Sequence, residues 1–486
     1  MIHVDRSLTE PLHRQIYNAF RSAIVDGRLR PGQRVPSTRI LATEIAVSRF
    51  PVLNAYAQLL AEGYLEARVG AGTVVSDSLP EQLTTSAPAG AKKPSPRRGT
   101  RHVSLRCSQL PRREFLPWFA HLGAFRVGQV AMDQFPLQIW SALVARHSRS
   151  LNIKSAHYGD LMGHESLRRA IANYLKTSRS VRCEPDQVLI VNGSQQALEI
   201  TTRVLLNPGD RVWVENPSYH LAREVFTLNG CDLVPVPVDI EGLNVPAGIQ
   251  RCGKARAAFV TPSHQFPLGV TLSASRRLQL IDWAQHAGAW IIEDDYDSEY
   301  RYESLPIASL QGLDPNSRVI YIGTFSKVLF PSLRLGYIVV PPDLIDRFVI
   351  MRRTMDLGPP TLYQQVLADF IEEGHFARHL RRMRVYYGGL RRVLFDNVTR
   401  LLGDSAEIAG DEAGMHLTLL LRTRHRDREL AHQALAHNLS LWPLSPSYVT
   451  GTRQGLILGF GATTTKEICD GVRALGIMLS GKRAGT

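Results

Sequence analysis

Four short apolar runs constrain this chain most: Val188-Leu189-Ile190-Val191, Val212-Trp213-Val214, Ala258-Phe259-Val260 and Trp290-Ile291-Ile292. Each is too short for a helix and too uniformly apolar for a strand with one wet face, so each reads as a strand buried on both sides. Helical patterns separate them, and this alternation from about Phe115 onward predicts an α/β sheet. From about Tyr363 the pattern becomes one long helix, then a smaller α+β unit ending near Leu479. No internal repeat is visible. With 486 residues, 44% of them hydrophobic, the chain is too long for one ordinary domain and can bury more than one core.

Residues 1–76 follow a different rhythm. Ile16, Ala19, Phe20, Ala23 and Ile24 recur at three- and four-residue spacing, a helix that ends at Asp26-Gly27 before the Pro31-Gly32 turn. Ser37 is placed to cap a second helix running through Arg39 to Ile45, and Ser48, after the turn Ala46-Val47-Ser48, to cap a third that reaches Glu62. A ribbon follows: strand Tyr64-Leu65-Glu66-Ala67, tip Gly70-Ala71-Gly72, return Thr73-Val74-Val75. Three helices and a ribbon describe a winged helix-turn-helix of α+β class. Residues 77–114 are rich in Pro, Ser, Gly, Ala and basic side chains, and read as a tether to a second domain over 115–486.

A formal charge of +13 permits a polyanionic partner without requiring one. Cys107, Cys183, Cys231, Cys252 and Cys469 are scattered, which points to neither a disulfide framework nor a zinc site, so no metal is expected and a reducing cytoplasm fits. The opening MIHVDRSLTE has no apolar core for a signal peptide, and no later stretch is apolar for long enough to span a bilayer, so no membrane partner is expected.

A recognition helix needs donors at its N-terminal end, where Ser48 and Arg49 stand, while Arg39 begins the preceding helix. Gly70, Gly72 and Thr73 would let the wing tip approach a phosphate backbone or minor groove closely. Taken singly, each is equally readable as a surface charge or a hairpin turn. Their order is more specific. Leu12-His-x-Gln-Ile-Tyr, Gly27-Arg-Leu-Arg-Pro-Gly-Gln-Arg-Val-Pro-Ser-Thr-Arg39, Val47-Ser-Arg, Ala55-Tyr, Leu59-Leu-Ala-Glu-Gly-Tyr-Leu and Gly70-x-Gly-Thr-Val together closely resemble GntR-type winged helices over most of residues 8–76. Two places depart from that pattern: Ile40 stands where an acidic residue is common, and Phe50-Pro51 replace a polar-Thr pair. Base preference is therefore open.

Open α/β sheets bind ligands at the carboxyl ends of their strands. After Val191 comes Asn192-Gly193-Ser194-Gln195, a turn entering a helix whose free N–H groups suit phosphate. After Val214 comes Glu215-Asn216-Pro217-Ser218-Tyr219, where the tyrosine reads either as a core side chain or as a ring over a flat cofactor. After Ile292 comes Glu293-Asp294-Asp295-Tyr296-Asp297, acidic enough to require a cation, a protonated nitrogen or, as a rival, a metal. After Ile322 comes Gly323-Thr324-Phe325-Ser326-Lys327, then Arg334-Leu335-Gly336-Tyr337. A lysine there is expensive as a free cation but useful as a Schiff base, and Thr324, Ser326 and Arg334 suit a phosphate.

In this order the motifs resemble fold type I pyridoxal 5′-phosphate (PLP) aminotransferases over about residues 120–475, an α/β fold with a small α+β subdomain. The resemblance implies Lys327 as the Schiff-base residue, Asp294 on the pyridinium nitrogen, Tyr296 on the phenolic oxygen and Tyr219 stacked on the ring. It places Ser194, Gln195, Thr324, Ser326 and Arg334 on the phosphate. Tyr158-Gly159-Asp160-x-x-Gly163 matches as well, and implies a homodimer in which Tyr158 of the partner subunit reaches that phosphate. Thr261-Pro-Ser-His264-Gln265-Phe-Pro-x-Gly269 replaces the usual asparagine loop, which makes His264 a cofactor-contact candidate.

The whole order, winged helix, basic tether and aminotransferase-like domain, resembles the MocR-like (GabR-type) branch of the GntR regulators over nearly the whole chain. The resemblance implies a regulator of a double-stranded DNA operator whose grip changes when a small amino compound, or PLP itself, occupies the second domain. An active aminotransferase with an accessory DNA-binding domain is the alternative, and a sensor of free PLP a third reading. For an amino-acid effector a carboxylate clamp is expected, and Arg453, ahead of the Leu456-Ile457-Leu458 run, is the candidate.

Overall fold

The computed structural model describes residues 4–68, 72–77, 104–108, 121–150, 157–302, 307–410, 412–422 and 424–480. The chain divides into two compact units, 1–102 and 103–486. Among the described residues no helix is long and apolar enough to cross a membrane.

In the first unit, α1 (Leu12–Val25) buries Ile16, Phe20, Ala23 and Ile24, the stripe expected from its spacing, against α3 (Arg49–Ala61). Phe20 meets Tyr56 edge-on at 5.3 Å, and the Tyr56 hydroxyl donates to Pro36 O at 2.8 Å, tying α3 to the start of α2 (Thr38–Glu44). Ser37 accepts from Ile40 N at 3.3 Å as an N-cap should. Ser48 stands at the N-cap position of α3, but its side chain makes no capping bond. The wing pairs β1 (Leu65–Arg68) with β2 (Gly72–Val75) in antiparallel register Leu65↔Val75, one residue later than the first strand expected. Residues 32–35 add a further edge: Gly32 N donates to Val75 O and Val35 N to Thr73 O.

The second unit is built on an eight-stranded sheet of order β3-β10-β9-β8-β7-β4-β5-β6. Its strands are β3 (Val188–Val191), β4 (Arg211–Asn216), β5 (Asp232–Asp239), β6 (Gly242–Leu243), β7 (Ala257–Val260), β8 (Trp290–Asp295), β9 (Val319–Thr324) and β10 (Gly336–Val339). The four apolar runs are β3 and parts of β4, β7 and β8, buried throughout except for the half-buried Trp290 that opens β8. β10 is antiparallel to both neighbours, so β3 runs the same way as β9, and β4, β5, β7, β8 and β9 are parallel. The carboxyl ends of β3, β4, β7, β8 and β9 consequently share one edge of the sheet.

The C-terminal region differs from the single long helix expected. Two helices, Leu362–Glu372 and His375–Leu402, are separated at Gly374, whose φ of +75° only glycine adopts without strain. A four-stranded antiparallel sheet follows, β11 (Ala406–Ala409), β12 (His416–Leu421), β14 (Gly455–Gly459) and β13 (Trp442–Pro443), closed by helix Thr465–Ser480. Within the tether expected over 77–114, the helical turn Leu105–Ser108 packs on helix His220–Leu228.

Candidate functional site

Each strand end delivers the polar residues expected of it into one cavity of ≈ 250 Å³. Ser194, Gln195, Tyr219, Asp294, Tyr296, Thr324, Ser326, Lys327 and Arg334 all line it. Leu221, Thr261, Phe266, Asp297 and Pro331 line it too, and Val127, Gly128, Met415, His416 and Trp442 complete the wall; these last five come from chain segments with no recognisable motif.

Gly193 (φ +88°) turns the chain from β3 into helix Ser194–Leu205, whose first N–H groups are free of helical partners. Arg334 lies over this turn: its Nη2 donates to Asn192 O at 2.7 Å and would stand 3.0 Å from a Cβ placed on Gly193. A side chain there would push the guanidinium away, so the glycine keeps the cradle open. Ser326 and Lys327 follow β9 directly, and Ser326 N donates to the Thr324 hydroxyl. Lys327 Nζ donates to Gly128 O at 3.0 Å. Burial pushes the Lys327 amine below its ordinary value, with Asp297 and Asp294 opposing. The neutral amine is the form that attacks a carbonyl carbon, and burial shifts Lys327 in that direction.

Asp294, the last residue but one of β8, lines the cavity. Burial, then the nearby Asp295 and Asp297, push its carboxyl up to about 7, and Lys327 pulls the other way. The Tyr296 hydroxyl donates to His264 O at 2.9 Å. His264 itself does not line the cavity; its Nδ1 sits 3.0 Å from Asp297 Oδ2, behind Tyr296. Gln265 is used in tying its loop to the one after β4: Nε2 donates to Pro217 O at 2.8 Å and Phe266 O at 2.7 Å, and Oε1 accepts from Leu268 N. His416 of β12 donates Nε2–H to Pro267 O at 3.1 Å, and burial holds its pKa well below the ordinary value. Ligand atoms of His264, Asp297 and His416 lie within 4.8 Å of one another, which is where the metal rival of the acidic cluster would have to sit. Each histidine already has a hydrogen-bond partner there.

Two sequence candidates lie elsewhere. Tyr158 is 84% exposed. Arg453 is 53% exposed, points to Glu407 at 3.6 Å and is not part of the cavity wall. It precedes β14 at the surface and is absent from the cavity wall, so the carboxylate clamp expected of it is not assembled here.

In the first unit, Arg39 and Arg49 stand exposed at the N-terminal ends of α2 and α3, and Arg49 Nε donates to Thr38 Oγ1 at 3.3 Å, holding the two helix starts together. Ser48 is exposed beside them. Gly72 (φ +82°) packs under the Arg34 guanidinium, where a Cβ would lie 3.3 Å from Nε, and Thr73 follows it in β2. Gly70 lies outside the described residues.

Residues 126–470 match the family model "Aminotransferase class I and II", and residues 12–75 match "Bacterial regulatory proteins, gntR family". The chain is 40% identical over 476 residues to the probable rhizopine catabolism regulatory protein MocR of Rhizobium meliloti, covering 98% of this chain and 95% of that one. It is 36% identical over 409 residues to the HTH-type transcriptional regulator TauR of Rhodobacter capsulatus, covering 82% and 81%. Among solved structures, the α-aminoadipate aminotransferase LysN of Thermus thermophilus, complexed with N-(5′-phosphopyridoxyl)-L-leucine, matches with TM-score 0.71 at 28% identity, over 78% of this chain and 97% of that one. Fold and sites together define a winged-helix regulator joined to an aminotransferase-like domain. The chain belongs to the MocR-like subfamily of GntR-family transcriptional regulators, and its first unit is a DNA-binding module.

Proposed function

We propose that this regulator holds PLP on Lys327 in the cavity, and that a small amino compound entering there changes its grip on a double-stranded operator. The observation that carries the reading is a set of buried polar atoms without partners among residues of one wall: Gln195 Oε1, Asp294 Oδ1 and Ser326 Oγ. Leaving such atoms unsatisfied costs about 1–3 kcal/mol each, so a polar occupant is called for. PLP fits them. Asp294 would face the pyridinium nitrogen, Tyr219 the ring, and Ser194, Gln195, Thr324, Ser326 and Arg334 the phosphate, with the free N–H groups after Gly193 adding to that end. When bound, PLP would supply an electrophilic carbon to which the Lys327 amine, or an incoming amine in its place, can bond.

Lys327, Asp294 and Tyr296 hold and orient; the wall formed by Phe266, Met415 and Trp442 keeps water from the reacting end. The exposed Tyr158 supports a homodimer in which Tyr158 of the partner subunit completes the phosphate site, and two winged helices would then meet two half-sites. Any effector acts only by as much as it prefers one arrangement of the chain over another.

The test is a titration of the PLP-loaded full chain with amino acids, ω-amino acids, amines and pyridoxal analogues, following the cofactor absorbance and DNA affinity in the same samples. The expected result is a Lys327-dependent absorbance that shifts with one amine class, no keto product, and a parallel change in DNA affinity. Steady keto-acid formation with unchanged DNA affinity would mean an aminotransferase. A DNA response to free PLP alone would mean a cofactor sensor. No Lys327-dependent band, with Lys327→Ala as control, would remove PLP from the reading.

A further inference from the structure

The face of the winged helix that carries Arg39 and Arg49 also exposes large apolar side chains. Phe50, the second residue of α3, is 70% exposed; Ile40, the third of α2, is 54% exposed; and Leu53, one turn beyond Phe50, is 41% exposed. None serves the core of this unit, which α3 supplies with Val52, Ala55, Tyr56 and Leu59. A phenyl ring held in water at the start of a helix forgoes burial it could have had. The bond from Arg49 Nε to Thr38 Oγ1 sets the two helix starts together, so the apolar groups and the two arginines share the end that a helix-turn-helix turns toward base edges. These are also the two places, Ile40 and Phe50-Pro51, at which the sequence leaves the GntR pattern.

The major groove offers one apolar group to such a face, the C5 methyl of thymine; every other edge presents donors and acceptors that a phenyl ring cannot satisfy. Arginines at 39 and 49 supply the charge that holds the face against phosphates or guanine. We propose that Phe50, seconded by Ile40, is a specificity-determining residue that reads a thymine methyl in each operator half-site. The contact itself lies within one DNA-binding module and is independent of the cofactor reading; its repetition in two half-sites rests on the proposed dimer.

The experiment selects sites for the full-length chain from a random duplex library, for the wild type and for Phe50→Ala in parallel. The wild type is expected to fix a thymine at one position per half-site. Replacing that thymine by deoxyuridine, which lacks only the methyl, should weaken wild-type binding about fourfold, the worth of burying one such group. Phe50→Ala should select no base there and bind thymine and uracil duplexes alike, while Phe50→Leu keeps part of the difference. Thermal melting of each variant guards against misfolding, which the exposure of Phe50 makes a small concern. The proposal is overturned if the wild type tolerates deoxyuridine at every selected thymine, or if Phe50→Ala keeps the wild-type ratio. A change in assembly mass with an unaltered ratio would overturn it too, and assign the ring to a protein contact.

Discussion

Arg179 Nε donates to Asp295 Oδ2 at 2.8 Å, with both side chains buried. The remaining guanidinium hydrogens reach Ser263 Oγ at 2.6 Å and Ile307 O at 3.0 Å, and the Tyr321 hydroxyl donates to the same carboxylate at 2.5 Å. Helix Glu165–Arg179, the end of β8, the loop after β7 and strand β9 therefore meet at one ion pair. Burial works against the Arg179 charge, and Asp295, Tyr321, Glu293 and Glu299 together outweigh it. Arg179→Met leaves Asp295 buried and unpaired, and should destabilise the second unit by about 3–5 kcal/mol. Urea unfolding followed in that unit checks this; a loss under about 1 kcal/mol would mean that water or a rearranged neighbour replaces the arginine.

The raised Asp294 carboxyl makes stability depend on pH in a definite direction. Its value is about 7 in the fold against 3.8 ordinarily, so between those limits the folded chain keeps a proton that the unfolded chain releases. Stability of the cofactor-free protein should fall as pH rises from about 4 to about 7 and level off above, by up to about 4 kcal/mol from this group. Burial also pushes Glu215 and Glu293 up to about 7, so they share the window. Asp294→Asn should thus remove only part of the slope, and PLP loading a similar part, because a pyridinium partner favours the carboxylate. Melting temperatures between pH 4 and 8 give the comparison; an unchanged slope in Asp294→Asn would count against the assignment.

Local chemistry decided what could be read ahead of the structure. Thr324 closes β9 and Ser326 and Lys327 follow within three residues, so sequence order alone puts them at a strand end, and the same logic places Asp294 near the end of β8. His416 and Trp442 reach the cavity only because the small sheet folds against the large one, and nothing near them in sequence marks that contact. The break at Gly374 was hidden because apolar spacing continues on both sides of it. Sequence makes His264 a cofactor-contact candidate, yet its ring pairs with Asp297, 33 positions away, and does not line the cavity.

Arg453 gives a prediction of no effect. Its distance of 3.6 Å to Glu407 and its exposure describe a surface ion pair, worth under about 1 kcal/mol. Arg453→Ala should leave stability, cofactor absorbance and the half-saturating effector concentration within twofold of wild type. A tenfold weaker response in the effector titration would restore it as a carboxylate clamp and require the C-terminal subdomain to move on binding.

Gly414 tests how tightly the pocket depends on the His264–Asp297 pair. It has φ +74°, and a Cβ added there would collide with the His264 ring and come within 2.6 Å of Asp297 Oδ2. Gly451 has nearly the same backbone, φ +68°, with nothing within 4 Å of an added Cβ. Alanine at either position bears the left-handed strain, about 1–2 kcal/mol, so Gly451→Ala measures that cost by itself. Gly414→Ala must in addition move His264, whose carbonyl accepts the Tyr296 hydroxyl at the cavity wall. It should lose at least about 1 kcal/mol more than Gly451→Ala and weaken PLP binding, while Gly451→Ala leaves PLP affinity unchanged. Equal losses in the two variants would show that the ring shifts freely, and that the Asp297 pair does not set the position of Tyr296.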